Sequence, residues 1–178
     1  FFKVPIIDTK YEKIYASRTV IKNDKEGLGF YGYDLWKDIS DCFEDRLYQG
    51  EAVYGECVGF LPKTGAFIQK GYDYGCDPNT FTPYIYRITR TGSDGTMTEL
   101  SWAQVKERSR ELEIPYVPEL FYGINPFKDF ARGIKDMAEQ LGSSSLCKNK
   151  VPEEGLVVRI DGTNKIRNYK VKTFAFLE

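Results

Sequence analysis

The stretch "VPEEGLVVRIDG", residues 151–162, places two carboxylates and a glycine directly before an apolar run that an arginine interrupts. The aliphatic and β-branched residues at 155–160 predict a strand. Because side chains alternate along a strand, Glu154 and Leu156 point to one side and Arg159 points to the other. We therefore expect a strand with one apolar face and a carboxylate at its N-terminal end. Taken alone, Glu154 could also be an ordinary solvated residue.

A second strand is predicted at residues 169–177, and the intervening "DGTNKIRN" at 161–168 is typical of a hairpin connection. Lys170 and Lys172 are two positions apart, so they project from the same face of this strand. Two neighbouring ammonium groups favour an anionic ligand. They also suit an exposed edge strand whose lysines oppose aggregation, and the pair alone leaves both interpretations open.

The composition bounds the class of protein. A chain of 178 residues, 42% hydrophobic, is long enough for one domain with a substantial core and too short for two ordinary ones. A net charge of −1 excludes a purely electrostatic nucleic-acid binder, so RNA or DNA would have to meet a local basic patch. The four scattered cysteines form no C-x-x-C pair and the chain has no histidine, which disfavours a structural zinc site and removes the base of a Ser-His or Cys-His pair.

The cysteine usage and the hydropathy indicate a cellular location. Reduced thiols are the expected state of four cysteines without paired spacing. No apolar run approaches the length of a membrane span. We therefore expect a cytoplasmic protein without a membrane partner, located in the host cell cytoplasm if its source is viral.

The remaining elements are predicted from hydrophobic periodicity and capping signals. Three further strands are predicted at residues 13–22, 51–60 and 83–90. Three helices are predicted at residues 34–50, 101–112 and 125–142. Strands and helices in mixed order with short connections predict an α+β fold, with antiparallel sheets flanked by helices, rather than a doubly wound sheet.

Polar and aromatic residues on three of these strands are candidates for binding. Glu56 follows a glycine in an apolar strand, where a ligand could approach the backbone and a carboxylate would need a partner. Tyr84 and Tyr86 share one face of their strand and could stack on a base, or they could simply pack in the core. Arg18 follows Ser17 in the first strand and could bind ribose or phosphate, or form a structural ion pair.

These signals follow one another in an order that resembles a known family. The order is S-R at 17–18, Y-G-E at 54–56, an aromatic strand, E-G-L-V-V-R at 154–159 and K-V-K-T-F-A-F-L-E at 170–178. It resembles the nucleotidyltransferase domain of the covalent ligase and mRNA capping superfamily, and in particular the ATP-dependent RNA ligases of the phage nick-sealing type. The resemblance covers nearly the whole chain.

The resemblance implies a fold and a reaction. The fold would be the nucleotidyltransferase, or ligase adenylation, fold, which is ATP-grasp-like, and residues 1–178 would form one such domain. The reaction would join 3′-hydroxyl and 5′-phosphate RNA ends through a lysyl-AMP intermediate and an adenylylated 5′-phosphate. ATP and Mg²⁺ or Mn²⁺ would be the cofactors. The partners would be RNA ends, in a nicked duplex or a broken RNA.

The resemblance also implies roles for individual residues. Lys170 and Lys172 would bind the nucleotide and neutralise charge at the α-phosphate, which is the electrostatic task in phosphoryl-type transfer. Glu154 would help hold the divalent metal. Together these three residues form the predicted catalytic set.

The nucleotide itself would be bound by further residues. Glu56 would accept from the ribose hydroxyls, and Arg18 would lie near the ribose and the nucleic-acid end. Tyr84 and Tyr86 would stack on adenine. Arg87 stands where the family usually has an acidic residue, which is a departure from its pattern.

The family's K-x-D-G element, which supplies the attacking lysine, is absent from residues 1–16, where it should lie. The nearest matches, at 22–25 and 159–162, have the wrong position or an arginine that cannot attack. We expect the nucleophile upstream of residue 1, so that the domain is N-terminally incomplete and this fragment alone is inactive. A catalytically silent nucleotide or nucleic-acid binding module, a DNA ligase and a capping enzyme remain the alternatives.

Overall fold

The computed structural model describes residues 13–17, 21, 32–43, 46–161 and 166–178. Within these residues the fold mixes helices with two antiparallel-paired sheets, so the predicted α+β class is confirmed. The elements are α1 (Leu35–Asp41), β1 (Glu51–Gly59), β2 (Phe81–Thr91), β3 (Met97–Glu99), α2 (Trp102–Glu111), α3 (Phe130–Glu139), β4 (Gly155–Ile160), β5 (Arg167–Lys172) and α4 (Phe174–Leu177). One sheet has the order β1-β2-β3 and the other pairs β4 with β5.

The chain divides into two compact units. The first takes the described residues of Phe1–Cys57 and Phe81–Val117, and the second takes those of Val58–Thr80 and Pro118–Glu178. Each unit contains residues that are distant in sequence, because the segment 58–80 is inserted between β1 and β2. The prediction that residues 1–178 form one adenylation domain stays a prediction.

The core of the first unit lies where α2 packs on β2. Its buried members are Ile85, Ile88, Leu100, Val105, Leu112 and Ile114. Ser101 begins α2 with a capping box, since its side chain accepts from the backbone N of Gln104 and the Gln104 side chain accepts from the backbone N of Ser101. The predicted start of this helix is therefore confirmed.

An ion pair buried in the first unit joins α2 to the start of β1. Arg108 Nη2 lies 2.8 Å from Glu51 Oε2, and both side chains are almost fully buried. Burial alone would lower the pKa of Arg108, but its hydrogen bonds to Glu51 and Glu111 outweigh burial and raise it. The Tyr48 ring lies against this guanidinium, with the ring centroid 4.1 Å from Cζ. Sequence reasoning missed this pair.

The same ion pair explains why α1 ends at Asp41 and not near residue 50, as its hydrophobic period predicted. Asp34 caps the helix as expected, accepting from the backbone N of Lys37 at 3.0 Å. Beyond the helix, however, Glu51 accepts from the backbone N of Tyr48 and Arg108 donates to the carbonyl of Arg46. The bond from Arg108 spans 62 positions of sequence, and both bonds use backbone groups that a helix continuing to residue 50 would need for itself.

The start of α3 was also predicted wrongly. The helix begins at Phe130, where Asp129 caps it by accepting from the backbone N of Arg132. The predicted start, Asn125, instead accepts from the backbone N of Phe127 at 3.0 Å and forms a local turn. Asparagine at this position therefore stabilises a turn that precedes the helix.

The core of the second unit lies between α3 and the β4–β5 hairpin. Ile134, Ala138 and Leu156 are buried there, and Phe127 packs against them. The bounds of β4 match the predicted strand, and β1 and β2 agree with their predictions to within two residues at each end. The short β3 was not predicted.

Two predicted strands differ from the structure. The strand expected at 169–177 ends at Lys172, because Thr173 caps α4: its backbone N donates to the carbonyl of Glu154 and its hydroxyl accepts from the backbone N of Phe176. The strand expected at 13–22 is described only in part. There Ala16 and Ile21 form an antiparallel bridge with each other, which residues of one continuous strand cannot do.

Candidate functional site

The β4–β5 hairpin of the second unit presents both predicted lysines on one face. In the antiparallel register Lys170 lies opposite Val157 and Lys172 lies opposite Gly155. Both lysines are exposed, while Leu156 and Val171 on the other face pack against the core. The alternation predicted for the two strands is confirmed.

Glycine is required where the hairpin begins. Gly155 has φ of 139°, which other residues rarely adopt, and a Cβ at this position would overlap the carbonyl oxygen of Val171. The close approach of β4 and β5 therefore depends on Gly155. This close approach accompanies the register that brings Glu154 and Lys172 to the same end of the hairpin.

Glu154 is held by side chains from a distant segment. Its Oε1 accepts from the Tyr74 hydroxyl at 2.8 Å and from the Gln69 amide. Its Oε2 lies 3.7 Å from Lys170 Nζ, and 21% of the Glu154 side chain is exposed. The interpretation of Glu154 as an ordinary solvated residue is therefore wrong, since its carboxylate has a defined orientation.

The lysines have different surroundings. Lys172 Nζ lies 4.6 Å from the centroid of the Phe176 ring on α4, which is a cation–π geometry. Lys170 is half exposed and approaches Glu154 only loosely. Because β5 is the edge of a two-stranded sheet, protection against aggregation is still an adequate explanation of these lysines. The approach of Lys170 to the oriented Glu154 carboxylate is what distinguishes this face from an ordinary edge strand.

The segment between Gln69 and Gly75 is stabilised by the buried carboxylate of Asp73. Asp73 accepts from the backbone N atoms of Gly75 at 2.7 Å and of Lys148 at 2.9 Å. Burial raises the pKa of Asp73, but these bonds and the one from Asn149 outweigh it, so the pKa lies below its ordinary value. Tyr72 donates to the carbonyl of Pro152 at 2.9 Å, and burial, followed by the nearby Glu154 carboxylate, raises its pKa.

Among the described residues of the second unit, Glu154 is the carboxylate that the sequence predicts as a metal ligand. The described residues contain no group of three or more His, Cys, Asp and Glu side chains that could hold an ion. Glu154 Oε2, whose neighbour is a loosely placed ammonium group, is one hard oxygen ligand. This fits Mg²⁺, which commonly binds through one or two carboxylates together with water and substrate phosphates.

The first unit holds the residues expected to recognise the nucleoside. Glu56 is exposed on β1, so the expectation that its charge needs a partner in an apolar strand is wrong. The charge buried in this strand belongs to Glu51. Gly55 is explained by the sheet, since a Cβ there would lie 2.7 Å from the carbonyl oxygen of Tyr84.

The two tyrosines of β2 flank Ile85, which is fully buried. Alternation therefore places Tyr84 and Tyr86 on the opposite face, where Tyr84 is half-buried and Tyr86 is 42% exposed. Arg87, which stands where the resemblance implies an acidic residue, pairs with Glu99 at 3.0 Å and lies over the Tyr54 ring. Arg87 thus has a packing role in its own unit.

The remaining predicted positions are simpler. Arg18 lies outside the described residues. Arg159 pairs with Asp161 at 2.7 Å and is largely buried, which favours a structural role. The four cysteines form no disulfide, as expected, and none of the described helices is long and apolar enough to cross a membrane.

Comparison with known proteins gives the class directly. The family model of RNA ligases matches residues 7–172, which is nearly the whole chain. The chain therefore belongs to the RNA ligase family, which indicates a ligase-type enzyme with RNA substrates. No curated protein matches the chain, and neither does any solved structure.

Proposed function

We propose that the protein is an ATP-dependent RNA ligase with the nucleotidyltransferase fold. It joins a 3′-hydroxyl to a 5′-phosphate through a lysyl-AMP intermediate and an adenylylated 5′-phosphate. Membership of the RNA ligase family supports the class of reaction. The observation that carries the proposal further is the β4–β5 register, which sets Lys170 and Lys172 on one face of the hairpin, with Lys170 Nζ 3.7 Å from the oriented Glu154 carboxylate.

The proposed chemistry assigns phosphate binding to the second unit. Lys170 and Lys172 bind the oxygens of the α-phosphate, where negative charge develops during transfer, so their positive charge stabilises the transition state. Glu154 holds Mg²⁺ or Mn²⁺ through Oε2. When bound, the metal supplies further neutralisation of phosphate charge.

The proposed recognition of adenosine is assigned to the first unit. Glu56 accepts from the ribose hydroxyls, which its exposure on β1 allows. Tyr84 and Tyr86 stack on adenine, and the exposed ring of Tyr86 supports this role. Arg18 binds near the ribose and the RNA end.

The proposal is tested by RNA joining. The natural protein, given ATP and Mg²⁺, should seal a 5′-phosphorylated RNA to a 3′-hydroxyl end. Lys172→Ala should lower the joining rate roughly 100-fold or more, as expected when one donor to a developing charge is lost. Lys150→Ala removes an exposed lysine of the same unit outside the proposed site and should leave the rate within about twofold.

Two results would contradict the proposal. One is an absence of joining by the natural protein with either metal, and the other is a Lys172→Ala variant as active as the Lys150→Ala control. Saturable ATP binding without joining would support the alternative of a catalytically silent module.

A further inference from the structure

One carboxylate oxygen in the second unit accepts hydrogen bonds from two uncharged side chains of the same short segment. Gln69 and Tyr74 both reach Glu154 Oε1, across 85 and 80 positions of sequence. The Tyr74 hydroxyl also lies 3.1 Å from Gln69 Oε1. It has a single proton, and the carboxylate is both the nearer and the charged acceptor, so the proton is donated to Glu154.

The segment that carries these donors is rigidly built. Tyr74 has φ of 49° and Gly75 follows with φ of 74°, so the chain turns sharply at this point. The buried Asp73 carboxylate stabilises the turn by binding the backbone N atoms of Gly75 and Lys148. The Tyr74 ring is further supported by Tyr72, with ring centroids 5.6 Å apart. The direction of the Tyr74 hydroxyl is therefore set by its surroundings.

The two oxygens of Glu154 are consequently unequal. Two donors occupy Oε1, whereas Oε2 faces Lys170 at 3.7 Å, which is too long for a good hydrogen bond. An amide and a hydroxyl orient a carboxylate without neutralising it, so the group keeps its net negative charge and Oε2 keeps its lone pairs for a cation. A basic donor at Oε1 would instead compete with a cation for that charge.

We propose that Gln69 and Tyr74 are positioning residues that make Glu154 a single-oxygen ligand, with Oε2 directed to a divalent cation shared with a nucleotide phosphate. This inference rests on the proposed function, because the metal belongs to that reaction. Neither residue contacts the substrate. Both act by fixing the position of Glu154 Oε2, the oxygen that would bind the cation.

The adjacent Tyr72 provides a matched control. Its hydroxyl also makes a hydrogen bond, but that bond is donated to the carbonyl of Pro152. Tyr72 therefore holds the backbone and not the Glu154 carboxylate. Replacing either tyrosine by phenylalanine removes one oxygen and retains the ring. The two variants should therefore differ in metal binding although each loses one hydrogen bond.

The test is a calorimetric titration of the natural protein with Mn²⁺ in the presence of an unreactive ATP analogue with a methylene bridge between the α- and β-phosphorus atoms. Tyr74→Phe and Gln69→Ala should each weaken Mn²⁺ binding by about 10-fold, as is typical when a group that orients a ligand is lost. Tyr72→Phe should leave Mn²⁺ affinity within about twofold while lowering the thermal midpoint. Glu154→Ala should abolish the signal that remains after subtraction of Mn²⁺ binding to the analogue alone.

The outcomes separate this inference from the proposed function. If Glu154→Ala abolishes the signal but both Gln69→Ala and Tyr74→Phe bind Mn²⁺ normally, the positioning role is wrong and the proposed metal site stands. Equal weakening by Tyr72→Phe and Tyr74→Phe would indicate general loosening and would also overturn it. If Glu154→Ala binds Mn²⁺ normally, the metal role in the proposed function is wrong.

Discussion

Single residues decide whether the candidate site can form, and Gly155 is the clearest case. Its φ of 139° and the lack of room for a Cβ beside Val171 both exclude other residues. Glu154 directly precedes it, so a shift of the strand here would also displace the carboxylate. The sequence places glycine at the first residue of the strand, but only the pairing with β5 explains why it is needed.

Gly155→Ala should therefore destabilise the protein by about 2–4 kcal/mol, combining backbone strain with overpacking. Urea unfolding followed by circular dichroism measures this. Gly142→Ala is the matched control, since Gly142 also has a positive φ, of 66°, but nothing lies within 4 Å of the added Cβ. It should cost about 1 kcal/mol from strain alone. Equal costs for the two variants would contradict the steric argument.

At the scale of elements, the first unit depends on one buried connection between α2 and β1. Arg108 and Glu51 pair at 2.8 Å with almost no exposure, and Arg108 also bonds the carbonyl of Arg46. The pair is built from residues 57 positions apart. It fixes both the position of α2 and the path of the chain into β1.

Arg108→Ala should lower the free energy of unfolding by about 3–5 kcal/mol, because it leaves the Glu51 carboxylate buried without its main partner. The same urea unfolding measures the effect. Glu107→Ala, on the same helix, breaks an exposed pair with Arg110 and should change stability by no more than about 0.5 kcal/mol. A cost below about 1 kcal/mol for Arg108→Ala would show that the pair does not hold these elements together.

The elements also show what sequence can and cannot predict. The alternation in β4 and the start of α2 were predicted correctly, because period-two patterns and a capping box are local signals. The end of α1 was missed because it depends on Glu51 and Arg108, which the hydrophobic period does not register.

The same limit applies to the candidate site. Glu154 and the two lysines were identified in sequence, since they lie within one hairpin. Gln69 and Tyr74 were not, because they lie in an irregular segment 80 or more positions from the carboxylate. No periodic pattern connects such positions.

At the scale of the whole molecule, family membership and local geometry support the same reaction. The RNA ligase match extends over residues 7–172 and so includes parts of both compact units. The proposal assigns adenosine recognition to residues of the first and phosphate chemistry to residues of the second. Catalysis by such an enzyme requires both functions in one protein.

The most direct test is the mass of the natural protein after incubation with ATP and Mg²⁺ or Mn²⁺. An enzyme that works through lysyl-AMP should gain the mass of one adenylyl group, and that group should be released when 5′-phosphorylated RNA is added. Lys172→Ala and Glu154→Ala should greatly reduce the gain. A natural protein that joins RNA without ever forming the adduct, or that never gains mass with either metal, would contradict the account.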